Sequence, residues 1–555
     1  MTELLTTLAI IFIVAGPFLL LASYLRIPVV PVLIVAGLVA GGFIDETLKL
    51  EIARLGIALL VFTFAVRIQT QDIQTAVVDS EVTALDQMAI VGSVGFGTGL
   101  LFGLAPEQAI YLGIAGALSS SIAGSTLFLP GNLERVHNRL SESIHSIQDF
   151  AALFLLLVVS AGVFELEPIA AQLGYGVLLL SVAVAVNRYL FDRIGRFAGG
   201  VTESMLVGTV ALLLLFLAAA EFLGTSIVAG AFAAGIAVQY DPVTYSGVFN
   251  GLDSINEFFA AVFFITVGAL VAFPTAEVIV LTLVLVVIAG IVKPAVTIAL
   301  LMLRGYERRT ATLTGFNLDQ IGEFALIIAI EALFLGLLAE AVFEAIILAA
   351  AITLVTSSFT RTYDEEIYHA LASTGLLGRH GRMVDRHSEV PEDISGHVVI
   401  VGYGRHGRRL VETCEEYGQP YVVIESNPVL LADLRAECEA FTFGDVIESK
   451  TVEKARLTDA RIVISTVDTR PVNEHLISFA DRVDVVLRTK ERANAGVYLD
   501  RGALYVAVSD LLAADRLEEQ FETLIDGEYE RKQRREEVTE MVDRYGQRPR
   551  SRRDD

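Results

Sequence analysis

Long apolar runs recur through the first 360 residues of this chain, and they constrain its fold more than any other feature. We count thirteen of them between Leu4 and Ser358, each suited to cross a hydrocarbon layer of about 30 Å as a helix. Backbone groups in lipid must be hydrogen-bonded within the protein, which excludes irregular lipid-facing segments. The runs therefore predict a multi-pass α-helical membrane protein with about 13 transmembrane helices.

The composition changes after these runs. Residues 1–360 hold 13 Lys and Arg and 27 Asp and Glu, whereas residues 361–555 hold 28 and 38. We divide the chain into a transmembrane domain at 1–360, a linker at 361–395, a globular domain at 396–510 and a charged helical or disordered tail at 511–555. The net charge of −24 repels phosphate backbones, so we expect no nucleic-acid partner. The two cysteines offer neither a disulfide framework nor a set of metal ligands.

The basic residues between the runs indicate the orientation of the chain. When the connections are sorted by side, ten arginines fall on the side of the C-terminal domain, and only Lys49 and Arg54 fall on the other. Basic loops favour the cytoplasmic side of a membrane. We therefore predict a cell-membrane protein with its N-terminus outside and its C-terminal domain in the cytoplasm.

Four polar clusters lie near the middle of the predicted spans. Asp149 in the sixth span and Lys293 in the eleventh each lie about ten residues from a basic loop, or roughly 15 Å deep. Ser119–Ser121 in the fifth span and Asn317–Glu323 in the twelfth reach a similar depth. A charge at the bilayer centre costs at least about 2.5–3.5 kcal/mol, so each of these residues needs a structural or functional reason.

The fifth and twelfth spans are poor continuous helices, and each neighbours a span that holds a buried charge. The two pairs run in opposite orders, which is typical of inverted repeats with two broken helices that cross at the midplane and face an ion. This pattern indicates a secondary transporter. The alternative of a ligand-gated potassium channel is disfavoured, because the sequence contains no Thr-Val-Gly-Tyr-Gly filter.

A midplane carboxylate supplies the chemistry of exchange. Asp149 can be ionised beside a dehydrated monovalent cation, or protonated and neutral, because a low dielectric favours the neutral form. Mutual exclusion of cation and proton on one carboxylate is the minimal requirement for antiport. Lys293 either stabilises a carboxylate such as Asp149 or Glu323, releases its own proton when the cation binds, or pairs permanently for structure. Glu323 is likewise open between a transport role and a structural one.

Five motifs, in order along the chain, resemble the core of the monovalent cation:proton antiporter-2 family. They are Ala117–Ser121, Ser146–Phe150, Phe263–Gly268, Lys293 and Asp319–Phe324. Within this family the chain is most similar to the potassium efflux antiporters that carry a cytoplasmic nucleotide-binding domain. The resemblance implies a core domain that rocks against a scaffold domain, a homodimer, and Asp149 as the principal carrier of cation and proton.

The residue before Asp149 bears on the choice of cation. Family members with an Asp-Asp or Asn-Asp pair are generally sodium exchangers, whereas Gln148-Asp149 matches the potassium-type branch. We predict exchange of K⁺, or of K⁺ and Na⁺, for H⁺, with a Na⁺/H⁺ antiporter as the alternative. The predicted ion and proton site consists of Asp149, which holds the monovalent cation, and of Gln148, Ser119, Ser120, Lys293, Gln320 and Glu323.

Apolar strand-like runs alternate with helical stretches in the globular domain, which predicts a parallel, doubly wound Rossmann-like sheet. The five predicted strands are His397–Val401, Tyr421–Glu425, Ala440–Phe443, Ile462–Ser465 and Asp484–Leu487. The sequence Gly-Tyr-Gly-Arg-His-Gly at 402–407 follows the first strand and opens a helix, as glycine-rich turns that bind dinucleotides do. Glu425 ends the second strand, where a carboxylate bonds ribose hydroxyls and repels a 2′-phosphate.

These features predict a regulatory adenine nucleotide, NAD(H), AMP or ATP, on the cytoplasmic domain. The domain resembles the regulator-of-potassium-conductance (RCK, TrkA-N) type, which implies ligand gating and dimerisation. No acid–base set accompanies the glycines, so we expect no enzyme and disfavour a membrane-bound oxidoreductase. The predicted nucleotide site consists of Gly402, Gly404, Arg405, Gly407, Glu425, Asp445 and Ser465.

Overall fold

The computed structural model describes residues 2–25, 29–67, 78–120, 136–163, 165–191, 193, 202–238, 246–272, 274–374, 384, 387–427, 430–490 and 492–525. The chain divides into two compact units. The first unit comprises Met1–Arg304 and Arg308–Gly378, and the second comprises Gly305–Glu307 and Arg379–Asp555. The part of the fifth predicted span beyond Ser120, including Ser121, and the charged end of the tail from residue 526 lie outside the described residues.

The first unit is helical throughout its described part. Its helices are α1 (Thr2–Leu25), α2 (Val29–Ala40), α3 (Glu46–Arg67), α4 (Val78–Leu101), α5 (Pro106–Ala117), α6 (Val136–Val159), α7 (Leu166–Val186), α8 (Thr202–Phe222), α9 (Ile227–Ala237), α10 (Ser246–Ala269), α11 (Ala276–Val287), α12 (Lys293–Leu303), α13 (Arg308–Phe316), α14 (Glu323–Phe334), α15 (Glu340–Thr362) and α16 (Asp364–Ser373).

Seven helical stretches among the described residues are long and apolar enough to cross a membrane. They are Thr6–Tyr24, Ser80–Leu101, Val136–Val159, Leu166–Phe191, Ser204–Phe222, Ala276–Leu303 and Glu340–Thr362. Shorter apolar helices occupy Val29–Phe43, Ile227–Ala237 and Phe258–Ala269. The prediction of a multi-pass helical membrane protein is therefore confirmed, while the exact number of spans stays a prediction.

Two of the predicted spans contain described non-helical segments, which we call the two interruptions: Leu118–Ser120 after α5, and Asn317–Gly322 between α13 and α14. The two segments meet, and we call their contact the crossing. Helix α5 ends at Ala117, while α13 ends at Phe316 and α14 begins only at Glu323. The Gly322 N–H donates to the carbonyl oxygen of Leu118 at 3.2 Å. A side chain at Gly322 would place its Cβ 2.3 Å from the Ser119 carbonyl oxygen, so only glycine allows this approach. The segment that follows α5 is thus in contact with the segment that precedes α14.

Helix α14, on one side of this contact, is enclosed along most of its length. Every residue from Glu323 to Ala332 is buried. A helix that is apolar on all faces lies in the interior of a bundle. Because α14 begins at the crossing, its rigid packing fixes the position of Gly322 and of the interrupted segment before it.

The eleventh predicted span contains a local irregularity beside Lys293. A π-helical turn, Ile288–Val292, joins α11 to α12. Pro294 follows Lys293 and has no backbone N–H, so it cannot continue the regular hydrogen-bond ladder. Single π turns of this kind are frequent at functional sites. Here the turn lies immediately before the fully buried Lys293.

In its described part, the second unit is a six-stranded sheet covered by helices. Its strands are β1 (Val398–Val401), β2 (Tyr421–Glu425), β3 (Phe441–Phe443), β4 (Ile462–Ser465), β5 (Asp484–Thr489) and β6 (Tyr505–Val508). Its main helices are α17 (Arg405–Glu416), α18 (Leu431–Glu437), α19 (Ser449–Lys454), α20 (Arg470–Ile477), α21 (Arg492–Asp500) and α22 (Ser509–Ile525).

The strands are all parallel and lie in the order β3-β2-β1-β4-β5-β6. This is the doubly wound order in which ligands bind between the first and fourth strands, at their carboxyl ends. Alternate residues of β1 belong to two different hydrophobic clusters of the second unit: Val399 and Val401 to one, and Val398 and Ile400 to the other. The Rossmann-like prediction is confirmed, with one addition: the sequence indicated five strands and missed β6.

Candidate functional site

One face of α6 carries a buried polar stripe. Asn138, Ser141, His145 and Asp149 follow one another at spacings of three and four residues, which aligns them on the helix. All four are at least nine-tenths buried, and Asp149 is only 3% exposed. Asn317, from the second interruption, donates to Asn138 at 3.2 Å and to Ser141 at 3.0 Å. A buried carboxylate thus lies on a polar face that contacts the interrupted segment.

Gln148, the neighbour of Asp149, is bonded through both atoms of its amide. Its Oε1 accepts a hydrogen bond from the Ser119 N–H at 2.9 Å. Its Nε2 donates to Oε1 of Gln87, on α4, at 2.5 Å. The sequence analysis did not single out Gln87, although a lone glutamine in an apolar span is the kind of residue that requires an internal partner.

Lys293 links the two interruptions. Its ammonium donates to the carbonyl oxygen of Leu118 at 3.0 Å and to that of Gln320 at 2.7 Å. The Leu118 carbonyl lies just past the C-terminal end of α5, where freed oxygens and the helix dipole favour a positive charge. The Gln320 carbonyl lies in the non-helical segment between α13 and α14. Sequence reasoning considered a carboxylate partner for Lys293; the partners found here are main-chain carbonyls at the crossing.

Side chains from both interruptions complete the crossing. Gln320 donates through Nε2 to the carbonyl oxygen of Ser120 at 3.2 Å, and its Oε1 accepts from Ser357 Oγ at 2.9 Å. Ser119 Oγ donates to the Leu318 carbonyl oxygen at 3.1 Å. The predicted site residues Ser119, Ser120, Gln320 and Lys293 therefore lie in one hydrogen-bonded assembly.

Glu323 begins α14 immediately after the crossing. It is 7% exposed and lies in the first turn of the helix. The N-terminal end of a helix favours a negative charge, so this position suits a carboxylate. Asp319, four residues earlier, is 4% exposed. Two buried acids thus flank Gln320 and Gly322.

The glycine-rich turn of the second unit has three glycines with three different roles. Gly402 has a φ of +93°, a conformation that favours glycine. A Cβ on Gly407 would lie 1.9 Å from the Gly402 carbonyl oxygen, so a side chain there is excluded by the turn itself. Gly404 has no atom within 4 Å of its would-be Cβ. The space above Gly404 is therefore open at the N-terminus of α17, where a phosphate is favoured.

Glu425 anchors this turn from the end of β2. Its Oε2 accepts a hydrogen bond from the Tyr403 N–H at 2.7 Å, and its Oε1 accepts from the N–H groups of Ser426 and Asn427, each at 2.7 Å. A carboxylate has about four lone-pair positions. Among the described residues these bonds use three of them, which leaves one acceptor position on Oε2.

Basic side chains surround the mouth of the turn. Arg405 is exposed at the first position of α17, and Arg488, at the end of β5, donates to the Thr466 carbonyl oxygen at 3.0 Å. Partial burial, followed by the charges of Arg488 and Arg405, lowers the pKa of His406. Two arginines thus lie near this helix end, which suits an anionic ligand. Sequence reasoning identified Arg405 but missed Arg488.

Asp445 and Ser465 lie in different surroundings. Ser465 is 2% exposed, and its hydroxyl donates to the Val467 carbonyl oxygen. Asp445 follows the outer strand β3, and its N–H donates to Oε2 of Glu307 at 3.3 Å. Burial, followed by the carboxylates of Glu448 and Asp445, raises the pKa of Glu307 well above its ordinary value. Asp445 thus belongs to an acidic cluster two strands away from the glycine turn.

Two interruptions that meet beside buried charges are typical of an ion-coupled secondary transporter, and here a Rossmann-like unit accompanies them. The family model described as "Sodium/hydrogen exchanger, transmembrane" matches residues 8–362, and the TrkA-N domain model matches residues 398–509. The chain belongs to the sodium/hydrogen exchanger family and, within it, to the Kef-type antiporters of the cation:proton antiporter-2 group that carry a TrkA-N domain. It is a membrane cation/proton antiporter, a class of transporters and not of enzymes.

Individual relatives match over long stretches. YbaL of Escherichia coli (strain K12), whose name describes cation/proton antiport, is 24% identical over 95% of this chain and 99% of its own. KefB of Alkalimonas amylolytica, named for K⁺ efflux antiport, is 26% identical over 84% of this chain and 72% of its own. K⁺ efflux antiporter 4 of Arabidopsis thaliana is 24% identical over 60% of this chain and 58% of its own.

Solved structures resemble the two units separately. The sodium proton antiporter MjNhaP1 of Methanocaldococcus jannaschii is 15% identical, with a TM-score of 0.49 over 68% of this chain and all of its own. The TrkA-N domain of YbaL from Escherichia coli is 25% identical, with a TM-score of 0.22 over 23% of this chain and 98% of its own.

Proposed function

We propose that this protein exchanges K⁺ for H⁺ and that Asp149 carries the two ions alternately. The proposal rests on the Asp149 carboxylate, which is only 3% exposed on α6. The residue before it, Gln148, accepts a hydrogen bond from the Ser119 N–H in the interrupted segment. Ionised, Asp149 balances a dehydrated cation; protonated, it is neutral and costs less to bury. With either ion bound, the charge of the carboxylate is neutralised, so the site can be carried across the membrane.

The other residues of the crossing hold the site in shape. Lys293 and Gln320 bind main-chain oxygens that the two interruptions leave without helical partners. Unsatisfied carbonyls in hydrocarbon each cost several kcal/mol in rough terms. We assign Lys293 a positioning and electrostatic role, and we keep Ser119, Ser120 and Glu323 as proposed members of the ion site.

Potassium is the proposed cation, and Na⁺ is the competing candidate. The names of KefB and of the Arabidopsis relative describe K⁺ efflux, whereas the matching family model is described by sodium/hydrogen exchange. Gln148 adds no formal charge beside Asp149, and a site with one charge favours the cation that is more easily dehydrated. We expect K⁺ to activate exchange at lower concentration than Na⁺.

The test is a side-by-side titration of K⁺ and Na⁺ on proteoliposomes with an imposed pH gradient. Dissipation of the gradient is recorded at each cation concentration, and protein-free vesicles serve as the control. Half-maximal activation by Na⁺ at an equal or lower concentration than by K⁺ would make the protein a Na⁺/H⁺ antiporter.

We propose that an adenine nucleotide, NAD(H), AMP or ATP, binds the second unit and regulates exchange. The open space above Gly404, the acceptor position on Glu425 and the positive charge of Arg405 suit a pyrophosphate and a ribose. Gly402 and Gly407 shape the turn, and Asp445 and Ser465 remain predicted contributors. Binding shifts the transporter's populations only if the nucleotide prefers one conformation of the protein.

Gly404→Ala separates nucleotide binding from folding. The added methyl meets no protein atom within 4 Å, so we expect normal folding, yet the methyl occupies the space in which the pyrophosphate lies. Loss of that close approach should weaken nucleotide affinity at least about tenfold, or 1.4 kcal/mol. Calorimetry on the full-length protein with each nucleotide measures the effect, and basal exchange should be unchanged.

Gly496→Ala is the matched control, because this glycine on α21 also has open space around it. It should bind nucleotide like the natural protein. Failure of the natural protein to bind any of the three nucleotides would reduce the glycine turn to a structural feature.

The remaining proposals concern assembly and orientation. We propose a homodimer, with the exposed apolar side chains of α22, among them Leu517, Phe521 and Ile525, covered by a second copy. We also propose that the N-terminus lies outside and the second unit in the cytoplasm. The division into 1–360, 361–395, 396–510 and 511–555 is retained as a proposed domain map.

A further inference from the structure

Two fully buried glutamines form a closed ring of hydrogen bonds around the end of α5. The Ser119 N–H donates to Gln148 Oε1 at 2.9 Å, Gln148 Nε2 donates to Gln87 Oε1 at 2.5 Å, and Gln87 Nε2 donates to the Ala117 carbonyl oxygen at 3.2 Å. Both glutamines have no exposed surface. The backbone from Ala117 through Leu118 to Ser119 closes the ring.

Only one orientation of the two side-chain amides satisfies every hydrogen bond of this ring. The Ser119 N–H is a donor, so Gln148 must present its oxygen to it and its amino group to Gln87. Gln87 must then present its oxygen to Gln148, which leaves its amino group for the Ala117 oxygen. Reversal of either amide would bring two donors or two acceptors together in the interior, at the cost of unsatisfied polar groups.

Leu118, enclosed by the ring, is the residue at which the whole crossing converges. Its carbonyl oxygen accepts from Lys293 Nζ at 3.0 Å and from the Gly322 N–H at 3.2 Å. The ring fixes the residues before and after Leu118, and therefore fixes where this oxygen points. Displacement of that oxygen would move both Lys293 and the start of α14.

We propose that Gln87 is a positioning residue of the ion site, which acts through Gln148 to hold the interruption at Ala117–Ser119 in the geometry that transport requires. The inference rests on the proposed antiport at Asp149 and deepens it. Gln148 then affects the bound cation by fixing the interruption, since both atoms of its amide already bond protein groups. Gln87 is as much a part of the site as the residues that the ion contacts.

Gln87→Glu tests the ring with a single-atom change. A protonated glutamic acid donates its O–H to the Ala117 oxygen and accepts from Gln148, so it preserves the ring; an ionised one has no donor and faces a carbonyl oxygen. Burial raises the pKa of a carboxyl by up to about 3–5 units, which brings the titration into an assay range of roughly pH 6–9. The activity should therefore depend on pH in a way that the natural protein does not show.

The charged groups on the elements packed around Gln87 are shared with the natural protein. They are Glu81 and Asp86 on α4, Glu107 and Tyr111 on α5, His137, Arg139, Glu142, His145 and Asp149 on α6, and Lys293 on α12. Asp86 pairs with Arg304 at 2.6 Å. Their titrations contribute equally to both profiles. Only the additional pH dependence of the variant reports on position 87.

We expect Gln87→Glu to exchange at close to the natural rate at pH 6 and about tenfold more slowly than the natural protein at pH 8.5. Gln87→Leu, which keeps the bulk and removes every hydrogen bond, should be about tenfold slower at both pH values. Gln108→Glu is the control: Gln108 also bridges two main-chain groups, Leu337 O and Ala339 N, but it lies in the first turn of α5, at the end of that helix opposite the crossing. It should add no pH dependence.

A Gln87→Glu profile that parallels the natural one from pH 6 to 8.5 would overturn the inference. If Gln87→Leu fails to fold, the comparison of one Gln87→Glu preparation at two pH values still decides the question. Absence of cation–proton exchange in the natural protein would instead overturn the proposed function. In that case the melting temperature in detergent tests the ring. If the ring is as described, the melting temperature of Gln87→Glu falls more between pH 6 and 8.5 than that of the natural protein.

Discussion

Asp149→Asn should reduce cation-dependent proton exchange to the level of protein-free vesicles, while the protein still inserts in normal amounts. An amide can neither release a proton nor balance a cation, so neither half of the exchange can occur. The side chain keeps its size and resembles the neutral, protonated carboxyl, so the buried packing around α6 is preserved. Dissipation of an imposed pH gradient on addition of K⁺ or Na⁺ measures the loss.

Asp86→Asn is the matched control for this substitution. Asp86 is also an aspartate on a membrane helix, but its side chain is 49% exposed and pairs with Arg304. Exposed ion pairs contribute about 0–1 kcal/mol. Exchange by Asp86→Asn should stay near the natural rate, and residual exchange by Asp149→Asn at that same rate would show that another group carries the ions.

Gly322→Ala should have the second largest effect, through geometry alone. Its Cβ would lie 2.3 Å from the Ser119 carbonyl oxygen and 2.6 Å from the Ser119 carbonyl carbon, and both belong to backbone that cannot rotate away. Separation of the two interruptions would break the bond from Gly322 to Leu118 and displace the start of α14. Such overpacking typically lowers the free energy of unfolding by about 1–3 kcal/mol. Here the distortion would occur at the proposed ion site.

We therefore expect Gly322→Ala to lower both the melting temperature in detergent and the exchange rate. Gly290→Ala provides the comparison, because Gly290 lies close to the same crossing but its Cβ would be 4.0 Å from the nearest atom, an ordinary contact. A Gly322→Ala protein with natural stability and transport would show that the close contact between the interruptions is dispensable.

The positions of the buried charges could be predicted from the sequence, because charged residues are rare in apolar spans. Asp149 and Lys293 stand out in apolar spans, and each must be buried with partners. Polar, glycine-containing segments such as Asn317–Glu323 cannot continue a lipid-spanning helix without satisfying their backbone, which predicted a crossing. The structure brings these predicted elements together in the first unit.

The partners within the site could not be predicted in the same way. Sequence reasoning sought a carboxylate for Lys293, yet the carbonyl oxygens of Leu118 and Gln320 receive its ammonium. Which carbonyls are free depends on where each helix ends, and that is decided by tertiary packing. Gln87 was missed for a related reason: its importance comes from contacts with Ala117 and Gln148, which are distant in sequence.

In the second unit, too, the sequence pattern predicted most of the elements but not their tertiary contacts. The alternation of strands and helices and the glycine spacing at Gly402–Gly407 predicted a Rossmann-like sheet with its binding turn after β1. The strand β6 was missed because Tyr505–Val508 is short and leads directly into α22. Arg488 was missed because its closeness to the turn depends on the order of β5 in the sheet.

The central claim is that cation and proton compete for one carboxylate, and the apparent KM for K⁺ as a function of pH tests it most directly. Initial rates of exchange by the natural protein in proteoliposomes are measured over a series of K⁺ concentrations at each pH. On the acid side of the carboxyl pKa, the account predicts an apparent KM that rises by about tenfold for each unit of decrease in pH, with an unchanged maximal rate. An apparent KM that stays constant while the maximal rate falls with pH would contradict competition at Asp149.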